Sequence, residues 1–180
     1  MVNQRTSRAS VVTVEYVPPG AGEQVFMGAL PLTFKVRAAA TGGLYELHEQ
    51  DIPPGVLVMP HRHERQNQVS VVLAGELGFL VGDAEFTAPA GSIVWRPMQV
   101  THALWNAGPA PARMLEISSP GIEIEQFFRQ FGKLTGAGEA TQEAVASLAG
   151  GYGITYHPAI AETLEARYPV SAAKGWWERP

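Results

Sequence analysis

Two histidines separated by a single residue, His61 and His63, constrain this chain more than any other feature of the sequence. They end an apolar, β-branched run, Gly-Val-Leu-Val-Met-Pro, that begins at Gly55 and is typical of a strand. Because side chains alternate between the two faces of a strand, both histidines point the same way, about 7 Å apart along it. Two imidazoles placed like this can share one cation, and neutral imidazole suits Fe, Ni, Mn, Co, Cu or Zn. The pair predicts one divalent metal ion bound on β-strands, although two strand histidines that bond only to backbone would give the same pair.

The spacing of residues on either side strengthens the metal interpretation. A glycine precedes the pair, a second follows it, and a later segment supplies Pro-x-Gly and His-x3-Asn; the positions are Gly55, His61, His63, Gly75, Pro89, Gly91, His102 and Asn106. This two-part pattern resembles the signature of the cupin family, with one departure, because Gln68 stands where that family usually has glutamate. The resemblance implies that His61, His63 and His102 are metal ligands and that Gln68 occupies the fourth ligand position. A vestigial, metal-free cupin is the alternative.

The spacing of turn residues along the chain predicts an all-β fold. Short β-rich runs are separated by glycine and proline turns, which favours an antiparallel sandwich or barrel over a parallel sheet. The predicted strands cover residues 11–17, 32–39, 44–52, 55–63, 68–73, 76–81, 85–88, 92–96, 101–105 and 113–118. Thr41-Gly42-Gly43 reads as a hairpin turn between two of them. Cupins are double-stranded β-helix, or jelly-roll, barrels, so the resemblance and the strand pattern agree.

After Pro120 the apolar period changes from that of a strand to that of a helix. An apolar stripe predicts a helix over residues 124–134 packed on the outside of the barrel, and weaker patterns predict a helix capped by Thr141 and another opening at Pro158. The predicted organisation is an N-terminal arm and strand at 1–24, a cupin barrel at 25–120 and a C-terminal helical extension at 121–180. We expect Trp176 and Trp177 to be buried against a partner subunit or the barrel mouth, with a disordered end as the alternative.

The composition narrows the classes of function. Among 180 residues there is no cysteine, the net charge is −4 and no basic block occurs, so we expect no disulfide and no nucleic-acid partner. No apolar run is long enough to cross a membrane. Hydrophobic residues make up 46% and charged residues 17%, which fits a compact β-rich protein that also buries surface in an oligomer. We expect a cytoplasmic homodimer that binds a small-molecule substrate.

The resemblance extends over most of residues 28–135 to single-domain bacterial cupins grouped with quercetinase, the flavonol dioxygenase. The segments that carry it are the Thr-Gly-Gly hairpin, the Ser-Pro-Gly-x-Glu run at 119–123 and the Phe-Phe helix that follows. It implies a metal-dependent dioxygenase that acts on an aromatic or enolisable substrate bound to the metal.

Gln68 keeps two other functions open. In quercetinase-like enzymes the glutamate at this position is thought to double as the base, and glutamine has no titratable proton to exchange. Three imidazoles and an amide also leave the full charge on a divalent ion, which suits a non-oxidative lyase, isomerase or polyketide-type cyclase. A cupin that binds a small molecule without turnover is the third possibility.

The predicted substrate pocket is mostly apolar. If the strands are regular, Leu57 and Met59 share the face of His61, Leu104 shares that of His102, and Ser70 shares that of Gln68. Met98 is a further candidate in the turn before His102. An apolar cup with a metal at its base suits an aromatic or polyketide-like molecule better than a sugar acid.

Overall fold

The computed structural model describes residues 16–27, 30–122 and 124–174. Most of the strand predicted at 11–17 and the Trp176-Trp177 tail lie outside the described residues. Within the described part, no helix is both long enough and apolar enough to serve as a membrane span.

Eleven strands and three α-helices account for most of the described chain. The strands are β1 (Glu23–Met27), β2 (Leu30–Val36), β3 (Glu46–Ile52), β4 (Leu57–His63), β5 (Asn67–Ala74), β6 (Glu76–Val81), β7 (Ala84–Pro89), β8 (Ile93–Arg96), β9 (His102–Trp105), β10 (Ala112–Ser119) and β11 (Ile154–Tyr156). The helices are α1 (Ile124–Ala137), α2 (Gln142–Gly151) and α3 (Pro158–Glu165).

The strands form two antiparallel sheets. One has six strands in the order β1-β2-β3-β10-β5-β8, and the other has five in the order β11-β4-β9-β6-β7. Some neighbours in these orders are distant in sequence, as when β10 pairs with both β3 and β5. The fold is an all-β double-stranded β-helix barrel with C-terminal helices, as predicted. Its interior holds a continuous core that runs from Val25 on β1 through Phe79 on β6 to Ala172.

The predicted turns contain residues that suit the backbone conformation of a turn. Gly55, Gly75 and Gly91 have φ angles of 76°, 72° and 90°, a region that L side chains rarely adopt. The side chain of Asn106 donates to the carbonyls of Ile52 and Ala110 and accepts from the amide of Gly108, so it ties one turn to the end of β3. These residues of the sequence signature therefore shape the backbone.

The helix predictions are confirmed. The stripe at 124–134 lies within α1, which packs against β1, and its buried residues include Phe127, Phe128 and Phe131. The hydroxyl of Thr141 accepts from the amide of Ala144 at 3.1 Å and caps α2. Pro158 opens α3 at its first position.

Three features differ from the strand predictions. The strand predicted at 32–39 ends at Val36, because Ala38–Thr41 forms a 3₁₀ helix that leads into the turn at Gly42 and Gly43. The sequence pattern did not predict β1 or β11. β11 has only three residues and exists because it pairs with β4, the strand of the two histidines.

Candidate metal centre

Strand pairing brings the three histidines of the signature together. His61 on β4 is the cross-strand partner of His102 on β9, and His63 lies two residues further along β4. The ring centroid of His61 is 5.0 Å from that of His63 and 4.5 Å from that of His102. One ring nitrogen from each residue lies within 4.8 Å of the other two. The three histidines are therefore positioned to bind one metal ion.

Backbone hydrogen bonds fix two of the imidazole rings in the tautomer that a ligand needs. Nδ1 of His61 lies 2.7 Å from the carbonyl of Met59, and Nδ1 of His102 lies 3.0 Å from the carbonyl of Val100. A carbonyl only accepts, so each Nδ1 carries the proton and each Nε2 keeps a free lone pair. Nε2 of His102 is buried with no hydrogen-bond partner among the described residues. An unpartnered lone pair of this kind fits a bound cation.

Burial keeps these imidazoles neutral. It lowers the pKa of His61 to about 4, and it lowers the pKa values of His63 and His102 well below the usual value of 6.5. The positive charge of Arg96 lowers all three pKa values further. A metal binds the neutral form of imidazole, so the rings need no deprotonation near pH 7 before they coordinate.

Gln68 extends toward the same space from the other sheet. It lies on β5, is buried, and lines one cavity together with His61 and His63. Its Oε1 atom has no hydrogen-bond partner among the described residues. A buried amide oxygen without a donor fits the role of a neutral oxygen ligand. The residues present thus fit a divalent metal held by nitrogen and amide oxygen.

The cavity beside the histidines is small and lined mainly by apolar side chains. Its volume is about 50 Å³, room for a few water molecules at roughly 10–15 Å³ each. The apolar lining consists of Met27, Val58, Leu104, Met114, Ile124, Phe127, Phe128 and Ile154. Several of these residues come from α1 and β11, so the C-terminal extension supplies part of the wall.

The structure corrects the predicted facing of Leu57 and Met59. Val58 pairs with Leu104 and His61 pairs with His102, so β4 has one more residue than β9 between these pairs. This β-bulge breaks the alternation of side chains, and Val58 takes the place in the cavity lining that was predicted for Leu57 and Met59. Leu57 and Met59 are buried in the core instead. The signal in the sequence was Pro60, because a proline inside a strand is typical of a bulge or an edge.

The other three predicted pocket residues have different positions. Leu104 lines the cavity, as expected from the regular geometry of β9. Ser70 is fully buried behind the lining, where its hydroxyl donates to Glu116 and accepts from Arg96. Met98 is outside the cavity lining and 38% exposed, because its backbone lies in the turn after β8.

Sequence reasoning missed the polar wall opposite the histidines. His48, Gln50, Arg96 and Glu116 all line the cavity and are almost completely buried. Arg96 and Glu116 form an ion pair there. The missed signal was the position of both residues in predicted strands. Arg96 lies two residues after Val94, and Glu116 lies two residues after Met114, so each shares a strand face with a buried apolar residue. A charged residue on the buried face of a strand needs a partner or a function.

Comparison with known proteins concerns the domain and its fold. Residues 48–118 match the family model described as a cupin domain. The chain is similar to the structure of KdgF from Halomonas sp., with 13% identity, a TM-score of 0.55, and coverage of 63% of this chain and 99% of that one. An RmlC-like cupin from Shewanella frigidimarina shares 21% identity with a TM-score of 0.52, covering 62% of this chain and 96% of that one.

A third similar structure is a sugar phosphate isomerase from a cupin superfamily, from Silicibacter pomeroyi. It shares 18% identity with a TM-score of 0.51, covering 58% of this chain and 75% of that one. At such identities the similarity concerns the fold alone. No curated protein sequence matches the chain. The domain match and the shared fold support the cupin superfamily.

Proposed function

We propose that this chain, with its cupin domain at residues 48–118, is a metal-dependent enzyme that acts on a small enolisable substrate. His61, His63 and His102 would hold one divalent ion, and Gln68 would be the fourth ligand. The observation that carries the proposal is the convergence of the three histidines, whose ring nitrogens lie within 4.8 Å of one another beside a cavity. The metal would supply Lewis-acid stabilisation of an anionic substrate oxygen.

The size of the cavity supports a compact substrate. Its volume of about 50 Å³ has room for only a few water molecules. Phe127 and Phe128 contribute an apolar side to the cavity lining, and the polar wall offers donors and acceptors. We therefore propose a compact substrate with a carbonyl or hydroxyl group, of the enolisable class.

Two reactions are compatible with these residues. The resemblance to quercetinase-type cupins favours dioxygenation of the enolised substrate. Gln68 favours a non-oxidative isomerisation, cleavage or cyclisation, because a ligand set without a carboxylate leaves the ion its full charge. In both reactions the chain must bind the substrate, keep water out and remove a proton.

Metal analysis followed by paired assays tests the proposal. We expect freshly purified protein, or protein reconstituted with Mn, Fe, Co, Ni or Zn, to contain close to one divalent ion per chain. Loaded protein should be assayed against compact enolisable compounds both in an oxygen electrode and under anaerobic conditions. Oxygen consumption would assign the dioxygenase, and anaerobic turnover would assign the non-oxidative reaction. Metal far below one per chain after reconstitution would refute the proposal, and stoichiometric metal with binding but no turnover would indicate a binding protein.

A further inference from the structure

The cavity contains a carboxylate that the sequence signature does not include. Among the cavity-lining residues that the structure describes, Glu116 is the only aspartate or glutamate, and its exposure is 2%. We propose that Glu116 is the acid–base residue of this site and takes the proton that Gln68 cannot accept. This inference rests on the proposed function, since it assigns a residue to the reaction in the same cavity.

The register of the strands places Glu116 near the metal ligands. On β10, Glu116 pairs across the sheet with Ser70 of β5, and Ser118 pairs with Gln68. Glu116 is thus a diagonal neighbour of Gln68, at a separation of about 7–8 Å. Because Glu116, Gln68, His61 and His63 line one cavity, a small substrate there would reach the metal with one oxygen and Glu116 with its acidic C–H bond.

The two oxygens of Glu116 have different surroundings. Oε2 accepts hydrogen bonds from the guanidinium of Arg96 and from the hydroxyl of Ser70, the latter at 2.8 Å. Oε1 is buried and has no hydrogen-bond partner among the described residues. One oxygen therefore anchors the carboxylate while the other is free to accept a proton. Glu46, a buried carboxylate outside the cavity lining, also has one oxygen without a partner among the described residues, so what distinguishes Glu116 is that it lines the cavity.

The groups around Glu116 also make it a suitable base. Burial raises the pKa of this carboxyl, and the opposing effect of Arg96 is smaller. His48, its cross-strand partner on β3, stays neutral because burial lowers its pKa to about 3. Arg96 is thus the single charged group that faces Glu116 among the described cavity-lining residues. A carboxylate held in place with a raised pKa takes a proton from carbon more readily than an exposed one.

The proposed step is a simple proton transfer. The C–H bond next to the substrate carbonyl breaks, its proton forms an O–H bond at Oε1 of Glu116, and the electron pair remains on the substrate as the enolate. The new O–H proton of Glu116 is then replaced by a deuteron from D₂O, and transfer of that deuteron to carbon completes the exchange without any oxidant or reductant. Dioxygenation of an enolised substrate and isomerisation through an enolate both begin with this step, so the inference is compatible with either.

Hydrogen–deuterium exchange of a small probe tests the step directly. Metal-loaded protein is incubated under anaerobic conditions in D₂O with pyruvate or hydroxyacetone, and loss of the C–H signal next to the carbonyl is followed by ¹H NMR. We expect wild-type protein to accelerate exchange and Glu116→Gln to slow it by about 10²- to 10⁴-fold, the usual contribution of a general base. Metal content and probe binding, measured by saturation-transfer difference NMR, should remain in the variant, because glutamine keeps the shape and one acceptor.

Two further variants separate chemistry from folding. Glu46→Gln is the matched control, since Glu46 is also fully buried on a strand of the same sheet but lies outside the cavity lining. We expect it to exchange within about twofold of wild type. Glu116→Asp keeps the negative charge beside Arg96 and withdraws the oxygen by one methylene, so it should fold and still lose at least about tenfold in rate.

The outcomes distinguish this inference from the proposed function. Exchange by Glu116→Gln or Glu116→Asp at the wild-type rate would overturn the role of Glu116 while leaving the metalloenzyme intact. So would the absence of exchange with both probes in wild-type protein that holds one metal ion. Failure of wild-type protein to hold metal at all would overturn the proposed function itself.

Discussion

At the level of single side chains, Gln68 is the departure from the cupin signature that bears most on the proposed reaction. It is buried on β5, faces the cavity shared by His61 and His63, and has an amide oxygen without a partner among the described residues. As a ligand it would bring an oxygen without bringing a charge. The nearby carboxylate of Glu116 is already paired with Arg96, so the ion would keep most of its charge for the substrate.

Gln68→Glu tests the value of this neutral ligand set. We expect the variant to bind metal more tightly and to exchange probe protons about tenfold more slowly, which corresponds to about 1.4 kcal/mol in the barrier. The physical reason is that the added negative charge offsets the pull of the cation on the substrate oxygen. The measurements are metal competition titration and the anaerobic exchange assay. A rise in oxygen consumption with an enolisable substrate would contradict this expectation and would show that glutamate at 68 restores a base.

His61→Ala tests the histidine cluster. We expect metal affinity to fall by more than about 100-fold, because even a change in an outer-shell partner of a ligand costs about 10- to 100-fold. His157→Ala is the matched control, since His157 lies on the adjacent loop and contacts Thr101 at 3.3 Å without belonging to the cluster. Competition with a chromogenic chelator measures both affinities. Equal affinity in the two variants would exclude His61 as a ligand.

At the level of elements, the C-terminal extension does more than cover the barrel. α1 contributes Ile124, Phe127 and Phe128 to the cavity wall, and β11 contributes Ile154 and Tyr156. β11 also pairs with β4 in a register that sets Ile154 opposite His63 and Tyr156 opposite His61. The extension therefore buttresses the histidine strand and closes the site, so that the barrel alone would present an incomplete cavity.

Phe131→Ala tests the packing of α1. Phe131 is completely buried but does not line the cavity, so its loss should affect stability and leave the site in place. We expect a loss of about 3–5 kcal/mol in the free energy of unfolding, the usual cost of removing a buried phenylalanine. Chemical denaturation followed by circular dichroism gives the value. Lys133→Ala, at an exposed position of the same helix, should change the free energy of unfolding by less than about 0.5 kcal/mol. A similar loss of stability in both variants would argue against the packing of Phe131.

The whole molecule carries an apolar patch on the outer face of its larger sheet. Cross-strand pairing aligns two rows over β10, β5 and β8, namely Ile117, Val69 and Trp95 in one and Leu115, Val71 and Ile93 in the other. Trp95 is 64% exposed and Ile93 is 71% exposed. β8 is also the edge of this sheet, with β5 as its one neighbour among the described strands. An apolar edge of this kind is a liability unless something covers it.

We propose that a second copy of the chain covers this patch. Two β8 edges can pair about a twofold axis, which makes the contact self-complementary and closed, as in most homodimers. We expect the protein to behave as a dimer in light scattering and Trp95→Glu to shift it toward monomer. Leu44→Glu is the control, because Leu44 is 70% exposed and lies outside the patch. If deletion of residues 1–15 changes the exposure of Trp95 while wild type is monomeric, the N-terminal segment is the occupant instead.

The sequence by itself determined the class of fold and the histidine cluster. Glycine and proline turns between short strands depend on local backbone geometry. Gly55, Gly75 and Gly91 adopt the positive φ angles that such turns need. The cap at Thr141 and the apolar stripe of α1 are equally local, which is why both were predicted correctly. His61 and His63 share a face by alternation alone. A local pattern can be predicted because its cause lies within a few residues of it.

Only the tertiary structure decided what surrounds the candidate metal site. The bulge in β4 depends on pairing with β9 and moves Val58 into the place predicted for Met59. β11 is too short to be recognised without the strand it pairs with. Arg96 and Glu116 are twenty residues apart in sequence, and they meet because β8 and β10 both pair with β5. Contacts across sheets depend on register and long-range pairing, and these are set by the packing of the whole chain.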